Sequence, residues 1–386
     1  MLKITYPRHG AILNRNQGQE TAEALRITVT GTSTSTAPIL VNGAVAKRQG
    51  QTFSADIDLK EKFNTITATT SDNGKPSSQE IRVVWDKKSF PRYNFYIDDH
   101  SFFLTDIAKE RPASLFDHFY LKGLRDIHRK LGTKFTLNLF YRNDHHPFEM
   151  KDFPDCYRQE WLDNRDWLQL SFHAYSEFPD RPYTDPDPTK LMEDFALVKK
   201  EITRFASAET FIQPIVIHWA VTSREGVLAL AKNGMPAFST GIRGVKEACE
   251  KAIAKGLNPV DAVTEIDRSA ISDISYFRTM DDAIYLYCYK KLYDFDIGAI
   301  FFSGTNTCCN LYTKEQIAAN LKLAFNAPFG NETFSLATHE QYTFTYYKNY
   351  IPDHLERIEL AARLTTEHGA KPVYFAEGLL GNTAWD

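Results

Sequence analysis

The apolar spacing of this chain changes once, after Trp85-Asp86-Lys87-Lys88, and that change separates what the two parts can fold into. Before it, Leu25, Ile27 and Val29 alternate with polar residues, as do Phe53, Ala55, Ile57 and Leu59. The stretch Thr65-Ile66-Thr67-Ala68-Thr69 is rich in β-branched residues. Successive side chains of a strand point to opposite faces, so period two over short runs means strands with one buried face. Asn42-Gly43 between two such runs predicts a tight hairpin turn, and Asp72-Asn73-Gly74 predicts a second. Strands at this spacing, with no helical pattern between them, predict a small β-sandwich over residues 1–88.

Beyond that point strand and helix patterns alternate. Tyr93–Ile97 reads as a strand, and Pro112–Leu131 as a helix with Pro in its first turn and Gly132 just past its end. Lys134–Phe140 and Leu168–Phe172 read as strands, followed by a helix over Pro188–Phe205. A strand at Phe211–His218, a helix at Ser223–Asn233 and a strand at Ala237–Thr240 come next. After an irregular insert (about 242–312) there follow a helix from Thr313, a strand at Phe334–Thr338, a helix at Asp353–His368 and a strand at Val373–Ala376. Alternation of this kind predicts a parallel sheet. Over residues 89–386 it amounts to an α/β barrel of the (β/α)7-8 type, roughly seven or eight strands.

Composition narrows the partners. Apolar residues make up 43% of 386, enough for sizeable cores. The net charge is −4 with no basic stripe, which argues against nucleic acid. No run of 18 or more apolar residues exists, so no membrane span is expected. Met1-Leu2-Lys3-Ile4-Thr5 enters strand-like alternation without an apolar signal core, as in an intracellular protein or a mature exported one. The five cysteines, Cys156, Cys249, Cys288, Cys308 and Cys309, cannot all pair and show no C-x-x-C spacing. That argues against a disulfide framework, and Cys308-Cys309 reads as two buried thiols.

The polar residues fall where β/α barrels collect their active sites, at the C-terminal ends of strands. Asp98-Asp99 ends the first strand of this part, Tyr141-Arg142-Asn143-Asp144 the second and His173 the third. His218-Trp219 ends the fourth, and His339-Glu340 a late one. Paired carboxylates with converging histidines suit a divalent cation and a water, one carboxylate ligating while its neighbour accepts the water's proton. His173-Ala174-Tyr175-Ser176-Glu177 adds two candidate ligands four residues apart. Singly, Asp99 and Glu177 read equally well as loop caps and His173 as a hydrogen-bonded core residue. Their convergence favours a metal.

Two resemblances sharpen this. Val41-Asn42-Gly43, Phe53-x-Ala55 and Phe63-Asn64-Thr65-Ile66-Thr67-Ala68 resemble bacterial Ig-like modules attached to secreted carbohydrate-active enzymes. That likeness implies a spacer or packing domain, and a secreted or periplasmic protein, with the cytoplasm as the alternative. The second part is similar to the polysaccharide deacetylase (NodB-homology) superfamily, whose first motif is a strand ending in two aspartates, as in Phe95-Tyr96-Ile97-Asp98-Asp99. The family's H-x-x-x-H motif reads here His173-x-x-x-Glu177, and its last motif matches Thr338-His339-Glu340 followed by a helix and Pro372-Val373-Tyr374-Phe375-Ala376-Glu377-Gly378-Leu379. The resemblance implies Asp98 as general base, Asp99 and His173 as metal ligands and His339 as general acid. The family's Arg-Pro-Pro-Tyr-Gly run is replaced by Ile217-His218-Trp219-Ala220, and its D-x-x-D-W segment has no match.

The expected site is therefore catalytic Asp98 and His339, with a divalent metal, zinc by preference, on Asp99 and His173 plus Glu177 or His218. Metal ligation and substrate contact beside Trp219 are both open to His218. Arg142, Trp219 and Glu340 are the expected substrate-binding residues, and His145-His146 either assist or form a solvated loop. The expected function is metal-dependent removal of N- or O-acetyl groups from a carbohydrate. The alternatives are a glycoside hydrolase or lyase on the same barrel, using Asp98, Glu177 or Glu340, and an inactive carbohydrate-binding protein.

Overall fold

The computed structural model describes residues 1–72, 74–240, 279–327 and 330–386. Asn73, Cys249 and most of the expected irregular insert lie outside the described residues. Two compact units are present: Met1–Ser89 with Lys291–Ile300 and Asn382–Asp386, and Phe90–Lys290 with Phe301–Gly381.

The first unit is built from antiparallel strands: β1 (Leu2–Tyr6), β2 (Leu25–Ser33), β3 (Thr52–Leu59), β4 (Phe63–Asp72) and β5 (Lys75–Trp85). One sheet pairs β1 with β2 and β2 with β3. The other pairs β4 with β5, and β5 takes the short strand Ile12–Leu13 in parallel. Leu25, Ile27, Val29, Phe53, Ile57 and Leu59 are buried, as the period-two pattern requires. Asn42 and Gly43 both adopt positive φ in the expected hairpin turn, and the Asn42 side chain accepts from Thr67 N (2.8 Å) and donates to the Thr65 carbonyl (3.0 Å). Distant segments join this unit through Asp86, which pairs with Lys291 Nζ (3.3 Å) and accepts from Asn382 Nδ2 (2.8 Å). Trp385 packs edge-on against Trp85. The unit thus takes in more of the chain than a boundary at 88/89 implies.

The second unit carries a parallel sheet interleaved with helices. Its main elements are β6 (Arg92–His100), α1 (Phe102–Glu110), α2 (Phe119–Leu131), β7 (Phe135–Phe140), β8 (Leu168–Ala174), α3 (Thr189–Phe205), α4 (Arg224–Lys232), β9 (Thr307–Cys308), α5 (Lys314–Phe325), β10 (Thr333–His339), α6 (His354–Glu367) and β11 (Lys371–Pro372). The strand order is β8-β7-β6-β10-β9, with β11 also pairing β6. Every residue of β6, β7 and β8 is buried, as expected of parallel strands covered on both faces. Fully burying each of Leu137, Leu139, Leu170 and Phe172 contributes about 1.5–3 kcal/mol.

Several expectations shift. The helix expected from Pro112 begins at Phe119, because Ser114 caps a separate 3-10 turn over Leu115–Asp117. Its end holds, with Gly132 left-handed at φ 72°. Phe211–His218 forms no strand beyond a single bridge from Phe211 to Leu170. Pro214 lacks the N–H that a ladder needs, and His218 sits in a 3-10 turn, His218–Ala220. Val373–Ala376 likewise leaves the ladder after one further bond, Val373 N to the Tyr93 carbonyl. No helix among the described residues is long and apolar enough to cross a membrane. Cys156, Cys308 and Cys309 form no disulfide, and Cys308 and Cys309 are buried as expected.

Candidate metal centre

Neighbouring residues of a regular strand cannot face the same cavity, yet Asp98 and Asp99 do. The β6–β7 pairing supplies the reason: Ile97 opposes Leu137 and His100 opposes Leu139, so β6 carries one extra residue. Asp99 absorbs it at φ 64°, a conformation costly for a non-glycine residue and concentrated at functional sites. A second irregularity lies next door. Leu139 opposes Phe172 and Phe140 opposes Ala174, leaving His173 unpaired. Both bulges therefore re-aim side chains at the ends of β6 and β8, the two parallel strands that flank β7, and parallel α/β sheets take ligands at that end of their strands.

Asp99, His173 and His218 converge. His173 Nε2 lies 3.3 Å from Asp99 Oδ1, His218 Nδ1 lies 3.5 Å from the same oxygen, and the two ring nitrogens are 3.2 Å apart. The far nitrogen of each ring faces a backbone carbonyl. His173 Nδ1 donates to Val216 O (3.4 Å) and His218 Nε2 to Glu177 O (3.0 Å). Those bonds fix the tautomers and turn both lone pairs toward Asp99, the arrangement ligating histidines generally show. Asp99 Oδ1 is buried and makes no hydrogen bond among the described residues. A buried carboxylate oxygen without a donor is costly, and a cation between it and the two rings would satisfy it. The three residues thus fit a metal ion, which their donor atoms alone do not identify.

Burial and charge act differently on the three residues: Asp98 and Asp99 outweigh burial and raise His173 above its ordinary value. Burial opposes charge on Asp99, yet His339, His173 and His218 together hold its carboxyl well below the usual range. Burial, with His173 adding to it, lowers His218 to about 4, which leaves its ring neutral at ordinary pH. Asp98 moves the other way: burial raises its carboxyl, partly offset by His173 and His339. Asn138 Nδ2 donates to Asp98 Oδ1 at 2.7 Å and so fixes the carboxylate's orientation.

His339 stands directly opposite Asp98 in the β6–β10 register. Its Nδ1 donates to Asn310 Oδ1 (2.9 Å), leaving Nε2 on the side of Asp99, 3.9 Å from Oδ2. Burial works against its protonation, but Asp99, Cys308 and Asp98 outweigh burial and raise it to about 10. The neighbouring carboxylates thus favour the protonated His339 ring.

Asp98, Asp99, His173, His218 and His339 line one cavity of about 300 Å³. Tyr96, Thr305, Glu177, Asp180 and Trp219 lie on its wall. Trp219 is 47% exposed, and it and Ala220 both hold positive φ in the turn that presents His218.

Three expected site residues stand elsewhere or act differently. The Glu177 carboxylate is bonded to His145 Nε2 (2.5 Å), so its backbone, rather than its side chain, serves the centre. Arg142 does not line the cavity; its guanidinium pairs with Asp144 (2.7 Å) and reaches Ser176 Oγ (3.3 Å). Glu340 is fully buried, and its carboxylate accepts from the backbone N–H groups of Ser101 (2.8 Å), Phe102 (2.9 Å) and Phe103 (2.6 Å). It caps α1. Burial pushes its carboxyl up to about 8 against those three donors.

Residues the sequence reading passed over are Asn138, Asn310 and Gln341, the last donating to Asp99 Oδ2 (3.2 Å). Asn138 left a signal, a polar residue inside the apolar run Phe135-Thr136-Leu137-Asn138-Leu139-Phe140. Asn310 and Gln341 left none.

No protein-family model matches the chain, and no curated protein is similar enough to count as a relative.

Proposed function

We propose that the chain is a metal-dependent hydrolase of the polysaccharide-deacetylase type, removing acetyl groups from a carbohydrate, and that zinc is its metal. In this reading the first unit is an Ig-like sandwich, the second a deacetylase-type barrel, and the protein works outside the cytoplasm. The observation that carries it is the triangle of Asp99 Oδ1, His173 Nε2 and His218 Nδ1 with Asp98 and His339 on the same cavity. Two imidazoles and one carboxylate with room for a further ligand suit catalytic zinc.

A divalent ion held there supplies a Lewis acid for an acyl oxygen and a water acidic enough to lose a proton near neutral pH. The chain's own residues do the rest. Asp98, aimed by Asn138, takes the proton as the water oxygen bonds to the acetyl carbon. His339, aimed by Asn310, gives its Nε2 proton to the sugar nitrogen or oxygen as its bond to that carbon breaks. Acetic acid and the free amine or hydroxyl leave; the acid then loses its remaining proton to solvent, and solvent exchange returns a proton from Asp98 to His339 for the next turnover. Trp219 offers a partly exposed ring at the mouth for the sugar.

The positions of Glu177 and Glu340 favour this reading over a glycosidase. A glycosidase needs two carboxylates facing across the sugar bond; of the three expected for that role, Glu340 is a helix cap and Glu177 is paired with His145, which leaves Asp98. Incubating the purified protein with acetylated oligosaccharides tests the reading. Acetate release that a chelator abolishes and zinc restores is expected. Cleavage of the glycosidic bond without acetate would refute it.

A further inference from the structure

The two oxygens of the Asp99 carboxylate meet different surroundings. Oδ1 faces His173 Nε2 and His218 Nδ1 and has no hydrogen bond among the described residues. Oδ2 accepts from Gln341 Nε2 at 3.2 Å, with His339 Nε2 3.9 Å away. Gln341 is 2% exposed and is not part of the cavity lining.

The turn that carries Gln341, Glu340–Thr343, is anchored at both ends. Glu340 accepts from the N–H groups of Ser101, Phe102 and Phe103, and Thr343 Oγ1 lies 2.7 Å from His354 Nδ1. The Gln341 carbonyl itself accepts from Phe344 N (3.0 Å). A fixed turn thus delivers this amide to Asp99, whose own backbone is held at φ 64°. Such a backbone persists where its surroundings over-determine it.

The contact costs stability. A carboxylate only accepts, so the amide must turn its Nε2 toward Asp99. Oε1 is then buried with no hydrogen-bond partner among the described residues, and an unpaired buried oxygen is unfavourable. A methionine of the same length would fill this space without that loss, so packing does not account for a glutamine here. A residue that breaks a local rule without a structural gain marks a functional position.

We propose that Gln341 is a positioning residue that holds Oδ2 and so leaves Asp99 a single oxygen, Oδ1, for the metal. That makes the centre more selective for zinc, which takes few ligands, over manganese, which takes more oxygens. The inference rests on the metal centre of the reading above, but its test reads binding alone. Competition titration with a chromophoric chelator gives zinc and manganese affinities for the parent, Gln341→Met and Gln341→Leu, and melting of the metal-free proteins shows whether they fold alike. Zinc affinity should fall about 10–100-fold, as when other residues that orient a ligand are lost. Manganese should lose less, and the metal-free Tm should stay within about 4 °C of the parent. A zinc loss below about tenfold, or manganese weakened as much as zinc, overturns the inference. A larger fall in metal-free Tm in both variants makes Gln341 a packing residue and overturns it too. Variants that behave as expected, beside a parent that releases no acetate, refute the hydrolase reading alone. A parent that binds neither metal overturns this inference together with the metal centre.

Discussion

Nε2 of His218 lies 3.0 Å from the carbonyl oxygen of Glu177, while the Glu177 carboxylate turns away to His145. Of the two residues expected as alternatives for the third ligand, His218 joins Asp99 and His173 in the group that could hold a metal ion, and Glu177 meets that group through its backbone. Glu177→Gln should leave metal stoichiometry unchanged. His218→Ala should weaken metal binding by more than about 100-fold, beyond what loss of a supporting partner costs. Competition titration with a chromophoric chelator separates the two, and equal losses in both variants would contradict the assignment.

Asp98→Asn retains the shape of the side chain and removes the proton acceptor, and His339→Ala removes the donor. Each should lower kcat by about 10²–10⁴-fold with metal still bound. Metal analysis alongside the rates is the check. Loss of metal from the His339 variant would make that residue a ligand.

Glu340→Gln replaces an acceptor of three N–H groups with an amide that presents its own donors to the N-terminus of α1. A cost of about 1–3 kcal/mol is expected in chemical denaturation. An unchanged midpoint would show that the cap contributes nothing.

Two buried histidines predict acid sensitivity. His100 and His354 are each lowered to about 3, chiefly by burial, and both are hydrogen-bonded as neutral rings. Unfolded, each takes a proton near its ordinary 6.5. Protons therefore bind the unfolded chain first, and stability falls as pH drops from 6.5 toward 3. Melting temperatures measured from pH 7.5 downward should decline over that window, and His354→Asn should flatten the slope. A flat profile in the parent protein would contradict the burial argument.

The larger fold was legible because it rests on local signals. Period-two spacing marked β2 and β3, and Gly132, Ser223 and Thr313 marked helix ends through caps that act within a turn. Helix α1 was not legible, since its N-terminus is satisfied by Glu340, 238 residues from Phe102 in the chain. Asp98, Asp99, His173 and His339 were readable from their place at strand ends. The bulges that make neighbouring aspartates share a cavity were not, because register depends on the partner strand. The pairing of Arg142 with Asp144 was not legible either, because it depends on the short hairpin that sets Arg142 opposite Glu149.

Elemental analysis of the purified protein, compared with its Asp99→Ala and His173→Ala variants, bears most directly on the central claim. One equivalent of divalent metal in the parent and almost none in either variant is the predicted result. A parent without metal after incubation with zinc, or variants that retain it in full, would contradict a metal centre built on Asp99, His173 and His218.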